Sequence, residues 1–174
     1  TTQSFTVVGK EYIDSAKLPE NNPIYWNKEN HFKKDEIEVF FPKNSFYEDF
    51  HLAYKFSNNK YWLGDYYQPI HKSYTLAITP TPDIPTAQLD KAILVREYQK
   101  RGVWKKDYLT TELKNGKLVA NPKDFGVFSI MIDNTKPTIT PLNIKANSQF
   151  SQSNGVIKFT INDEHSGIKD YKAY

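Results

Sequence analysis

The 174-residue chain contains no cysteine, so neither a disulfide framework nor a thiolate metal site is open to it. No apolar run approaches the ~20 residues that a membrane-spanning helix needs, and the N-terminus lacks the basic-then-apolar layout of a signal peptide. Charge of one sign is also missing. The 23 basic and 20 acidic side chains are interspersed, for a net +3, so there is no strong field to steer polyanions and nucleic acid is not implied as a partner. With seven glycines and one methionine, Met131, the chain shows no phosphate loop, nucleophile elbow or dinucleotide fingerprint.

Aromatic residues are what the chain has in quantity: twelve Tyr, eleven Phe and three Trp, a composition that suits half-buried pleated surfaces better than helical bundles. Apolar residues recur with period two far more often than at helical spacing, which predicts antiparallel strands with one buried face. The pattern places Ile37, Val39 and Phe41 inward on a strand at 36–41, Leu52, Tyr54 and Phe56 inward at 51–56, and Tyr74, Leu76 and Ile78 inward at 73–79. It does the same for Phe128, Ile130 and Ile132 at 127–132, and for Ile157, Phe159 and Ile161 at 156–161. The continuous run Ala92-Ile93-Leu94-Val95 reads as a strand buried on both faces, reversed at Lys100-Arg101-Gly102 into a strand at 103–110. Asn115-Gly116 predicts a tight hairpin with a primed turn. The only helical candidate, residues 86–91, follows Pro80, Pro82 and Pro85 and is expected to make one short turn.

Three domains of different standing are expected. Residues 1–23 read as the end of a preceding domain or a linker, with a strand already in progress at 4–9 and the natural start upstream. Residues 24–135 read as an immunoglobulin-like or fibronectin-like β-sandwich, closed by a junction at Asp133-Asn134-Thr135-Lys136-Pro137, where proline imposes extended backbone. Residues 136–174 are too few to bury two sheets and read as the start of a second immunoglobulin-like domain, truncated near Tyr174.

Few residues suggest chemistry. His31 and Asp35 have the spacing of a zinc-binding pair, but a catalytic zinc needs a third protein ligand, and His51, His71 and His165 are each isolated in sequence. A polar turn before the next strand accounts for the pair more simply. Asp163-Glu164-His165-Ser166-Gly167 invites a calcium or acid–base reading, yet Asp and Ser bonding to local N–H groups, with positive φ at Gly167, describes a strand-connecting turn. Tyr61, Trp62, Tyr66 and Tyr67 form the densest aromatic cluster; beside Gly64-Asp65 they cannot all point inward, and they are the best candidates for stacking on sugar rings or on a partner protein. Arg96, Lys100, Arg101, Lys105 and Lys106 alternate with Tyr98, Trp104 and Tyr108, which a charged hairpin with lysine-protected edges explains.

Two ordered stretches carry a family resemblance. Phe41-Pro42-Lys43-Asn44-Ser45-Phe46-Tyr47-Glu48-Asp49-Phe50, followed by Pro69-Ile70-His71-Lys72, is the first. The second is Phe125-Gly126-Val127-Phe128, leading to Asp133-Asn134-Thr135-Lys136-Pro137-Thr138-Ile139 and to Asn162-Asp163-Glu164-His165-Ser166-Gly167-Ile168. Together they resemble the C-terminal part of LytM-type (lysostaphin-like) zinc murein peptidases of Bacteroidota-type bacteria, across most of residues 24–174. In that family the zinc is held by a His-x-x-x-Asp pair and a later His-x-His, within a catalytic domain nearer the N-terminus. This chain has no His-x-His, so no catalytic residue carries over, and any zinc belongs to the parent's catalytic domain.

The resemblance implies a periplasmic or envelope-associated location and a non-catalytic structural or docking role. The implied partners are other envelope proteins or peptidoglycan, with membership of an outer-membrane assembly as a further expectation. The rival readings are a carbohydrate-binding module using Tyr61, Trp62, Tyr66 and Tyr67, and a zinc hydrolase using His31 and Asp35.

Overall fold

A computed structural model describes residues 22–145, 155–168 and 170–172. The strand expected at 4–9 and the chain end at Tyr174 lie outside the described residues. Fourteen strands are present among those described: β1 (Pro23–Ile24), β2 (Asn30–Lys34), β3 (Ile37–Phe41), β4 (Phe50–His51), β5 (Tyr54–Ser57), β6 (Lys60–Leu63), β7 (Thr75–Ile78), β8 (Ala92–Lys100), β9 (Val103–Leu109), β10 (Glu112–Lys114), β11 (Lys117–Ala120), β12 (Gly126–Ile132), β13 (Thr138–Pro141) and β14 (Phe159–Asn162). The helical turn predicted after the proline cluster is a short 3₁₀ segment, Thr86–Lys91.

Two five-stranded antiparallel sheets carry the structure, in the orders β10-β11-β7-β3-β2 and β5-β6-β12-β8-β9; β1-β4 and β13-β14 form two-stranded sheets. Two-residue turns set much of the register. Asn58-Asn59, Arg101-Gly102 and Asn115-Gly116 all have positive φ at both positions, the twist that joins right-handed strands without splaying them, and they link β5 to β6, β8 to β9 and β10 to β11. Asp35, with φ 50°, serves the same purpose between β2 and β3.

Alternation puts the apolar sides of the two large sheets into one cluster of buried side chains. It holds Ile37, Val39, Phe41, Leu76 and Ile78 from the first sheet and Tyr61, Leu63, Leu94 and Phe128 from the second. Phe125, in the loop before β12, lies at its aromatic centre, with Phe41, Phe46, Phe50 and Tyr74 at ring-centroid distances of 5.6–6.2 Å. Edge and offset contacts of this kind contribute roughly 0.5–1.5 kcal/mol each beyond the area they bury. The Tyr74 hydroxyl would be an unpaired buried donor but for the Asp124 carbonyl, which accepts it at 3.0 Å.

The expected strand at 51–56 is interrupted. Leu52 is fully buried and donates its N–H to the Asn22 carbonyl at 2.8 Å, so the backbone leaves β4 before β5 begins, and Phe56, on an edge strand, is 38% exposed. β8 meets expectation: residues 92–96 are buried on both faces, with Ala92 and Leu94 in the core while Ile93 and Val95 face the other way. The inward set at 156–161 is corrected. The strand covers only Phe159–Asn162, and Ile157 and Phe159 are about half exposed, because β14 pairs with β13 alone and no second apolar layer packs on that hairpin among the described residues.

Candidate functional site

β6 shows how the site arises. Its four residues alternate, so Tyr61 and Leu63 enter the core and Lys60 and Trp62 are left on the opposite face. Register then carries that outer face across the sheet: Trp62 is opposite Val127, Val127 is opposite Glu97, and Glu97 is opposite Lys106. Trp104, two residues before Lys106 on the same strand, shares this face. Lys60, Trp62, Glu97, Trp104, Lys105, Lys106 and Val127 line an open groove of about 440 Å³.

Val127 is buried and makes the apolar floor, while Trp62 and Trp104 remain 42% and 53% exposed. Glu97 bridges the groove. One carboxylate oxygen accepts from Lys60 and the other from Lys106, the latter at 3.3 Å. The hydrogen bond from Lys60 is the main reason its carboxyl is held below the usual carboxylate range; burial works the other way, and Lys106 adds to the lowering. The groove is therefore apolar at its floor, aromatic at its flanks and positively charged on balance. Beneath it, on the core side of β8, Arg96 donates to Asp107 at 2.6 Å and to the Phe125 carbonyl at 3.1 Å and stacks over the Tyr98 ring at 4.3 Å, so this member of the basic hairpin is a structural cation.

The four aromatic candidates separate. Tyr61 is buried in the core, and burial above all raises its hydroxyl to about 12. Trp62 belongs to the groove. Tyr66 and Tyr67 stand exposed in the loop after β6, with ring centroids 4.0 Å apart, on a turn in which Asp65 accepts the Tyr67 N–H at 2.9 Å. The hydrogen bond to Tyr67 raises the Tyr66 hydroxyl to about 12. Trp104, Glu97, Lys60 and Val127 were not singled out as one site from the sequence. The detectable signal was parity, since Tyr61 and Leu63 inward force Lys60 and Trp62 outward; the pairing of β6 with β12 and of β12 with β8 has no local signature.

His31 and Asp35 are not brought together with a further ligand. The His31 ring packs edge-on against Phe40 with centroids 4.7 Å apart, and Asp35 accepts the Tyr54 hydroxyl at 2.8 Å. Among the described residues no group of three or more His, Cys, Asp or Glu could hold a metal ion.

A second constellation ties the C-terminal segment to the sheets. Asp163 Oδ1 accepts the N–H groups of His165 and Gly167, both at 3.0 Å, and the Ser166 hydroxyl at 3.3 Å, while Gly167 has φ 74°. This is the turn predicted from the sequence. Its Ser166 N–H reaches across to buried Asp133 Oδ2 at 3.0 Å, and the His165 ring packs edge-on against Tyr108 with centroids 4.4 Å apart. Burial opposes ionisation of Asp133, but its hydrogen bonds from Ser166 and Thr135 outweigh that and hold the carboxyl below its ordinary value.

Two five-stranded antiparallel sheets whose apolar sides share one cluster of buried side chains define an all-β module. Residues 21–133 match the model of the Zu5-like domain, and the chain belongs to that family. Zu5-like domains are typically non-catalytic modules of structure and interaction; the peptidase parentage implied by the sequence resemblance is not part of this match. No curated protein and no solved structure matches the chain.

Proposed function

We propose that the chain is a non-catalytic docking module of a cell-envelope protein, built as a β-sandwich whose working surface is the outer face of the β5-β6-β12-β8-β9 sheet. The observation that carries this reading is the exposure of Trp62 and Trp104 around one groove, on a sheet face where alternation ordinarily leaves polar side chains. Large exposed aromatics over an apolar floor mark contact surfaces in soluble domains, because aromatic rings contribute most to binding when a partner completes their desolvation. The envelope location, the LytM-type parent and an envelope partner are supported by the ordered phrases at 41–50, 69–72, 125–139 and 162–168. Within such a parent, the immunoglobulin-like sandwich would position a catalytic neighbour.

Co-sedimentation with purified peptidoglycan sacculi, together with cross-linking in the envelope fraction of cells that make the protein, tests the role. Wild type is expected to be retained by one or both. The double variant Trp62→Ala/Trp104→Ala, with unchanged thermal unfolding, is expected to lose at least ten-fold in retention. Equal retention of the two proteins would remove this face as the docking surface.

A further inference from the structure

The groove also specifies the chemistry of its occupant. We propose that it binds a carboxylated polysaccharide of the uronate type, with Trp62 and Trp104 as stacking surfaces for sugar rings and Lys60 and Lys106 as donors to the carboxylates; the inference rests on the docking role proposed for this face.

Three observations lead to that class. The groove runs across β6, β12, β8 and β9, whose facing backbone groups are already paired in the ladders, so an extended peptide lying in it would find main-chain partners only along the outer edge of β9. A pyranose needs none, since its apolar C–H face lies on an aromatic ring and its rim carries the polar groups. From β6 to β9 there are three strand spacings, about 14 Å, so the two tryptophans engage separate sugars of one chain rather than a single small molecule.

Charge supplies the remaining discrimination. Lys60, Lys106 and Glu97 present their side chains to the groove, and both lysines pair with the single glutamate, leaving a net positive charge. Each ammonium has three N–H donors, so Lys60 and Lys106 keep donors for a ligand carboxylate after serving Glu97. A single-stranded nucleic acid shares the need for rings and cations, and the titration below separates it from a uronate chain.

Titration of the 174-residue protein with galacturonate oligomers, with neutral cello-oligomers of the same length and with an oligothymidylate, followed by tryptophan fluorescence and calorimetry, tests the inference. The uronate oligomers are expected to bind with a fluorescence change and an affinity that falls as salt rises, and to exceed the neutral oligomers by ten-fold or more. Trp62→Ala and Trp104→Ala should each weaken binding at least ten-fold, and Lys106→Gln should weaken it and flatten the salt dependence. Equal affinity for neutral oligomers, tighter binding of the oligonucleotide, or a Trp104→Ala variant that binds like wild type would overturn it. If the uronate oligomers fail while retention by sacculi or an envelope protein still requires both tryptophans, the glycan inference falls and the docking role stands; if neither depends on the tryptophans, both fall.

Discussion

Gly64 shows how one residue can be demanded twice. Its φ is +61°, and a Cβ built there would lie 2.3–2.7 Å from ring atoms of Phe125, the centre of the aromatic core. Gly116 has a similar φ of +77° but open space around it. Gly64→Ala is therefore expected to cost about 3 kcal/mol, from backbone strain plus overpacking, and Gly116→Ala only about 1 kcal/mol from the backbone; urea unfolding of the two variants measures the difference, and equal costs would refute the packing argument. Glu38 makes a second prediction. Lys117 first and Lys33 next, each 2.6 Å away, hold its carboxyl down from an ordinary 4.5 to about 2. A folded pKa below the unfolded one contributes stability that is complete above about 4.5 and is lost as pH falls toward 2. Glu38→Gln should remove that part of the acid sensitivity, so the variant and wild type, compared by urea unfolding at pH 6 and pH 3, should differ less at pH 3.

At the scale of the element, strand pairs and their turns were legible where a local pattern met a local rule. Asn115-Gly116 announced its hairpin, Lys100-Arg101-Gly102 its reversal, and Ala92 to Val95 a strand buried on both faces, since each depends only on backbone freedom or hydropathy within a few residues. Leu52 was legible as buried but not as the place where the strand breaks, because its N–H is taken by Asn22, thirty positions away. Phe159 fails for the opposite reason. Its alternation is regular, yet inward means nothing without a second layer, and β13-β14 has none among the described residues. The groove was legible only in halves: Trp62 stood among the aromatic candidates, while Trp104 and Lys106 were read as part of a solvated charged hairpin. Nothing near Trp62 in sequence says that Val127 and Glu97 will stand beside it.

At the scale of the whole molecule, the contact between the turn at 163–167 and the sheets decides how the C-terminal segment is held. Asp133 receives the Ser166 N–H at 3.0 Å while its other oxygen receives the Thr135 N–H at 2.9 Å, and Tyr108 supports the His165 ring. Asp133→Ala should release this segment without dissolving the core. Hydrogen exchange is expected to quicken at residues 163–168 and protease cleavage to rise between 134 and 145, with the protection of β8 and β12 unchanged. Uniform loss of protection across the sheets would instead make Asp133 a core-stabilising residue.

By itself the amino-acid sequence determined the β class, the alternation of β3, β7 and β12, the primed turn at Asn115-Gly116 and the Asp163 turn, because these follow from side-chain spacing and from φ tolerance inside short windows. Tertiary structure alone decided that Tyr61 is core while Trp62 is surface, that Arg96 turns inward beneath the groove, and that Trp62, Val127, Glu97 and Lys106 share one row. The physical reason is that antiparallel pairing joins residues far apart in the chain through main-chain hydrogen bonds that are alike for every side chain, so the row exists only once the sheet has chosen its order and register.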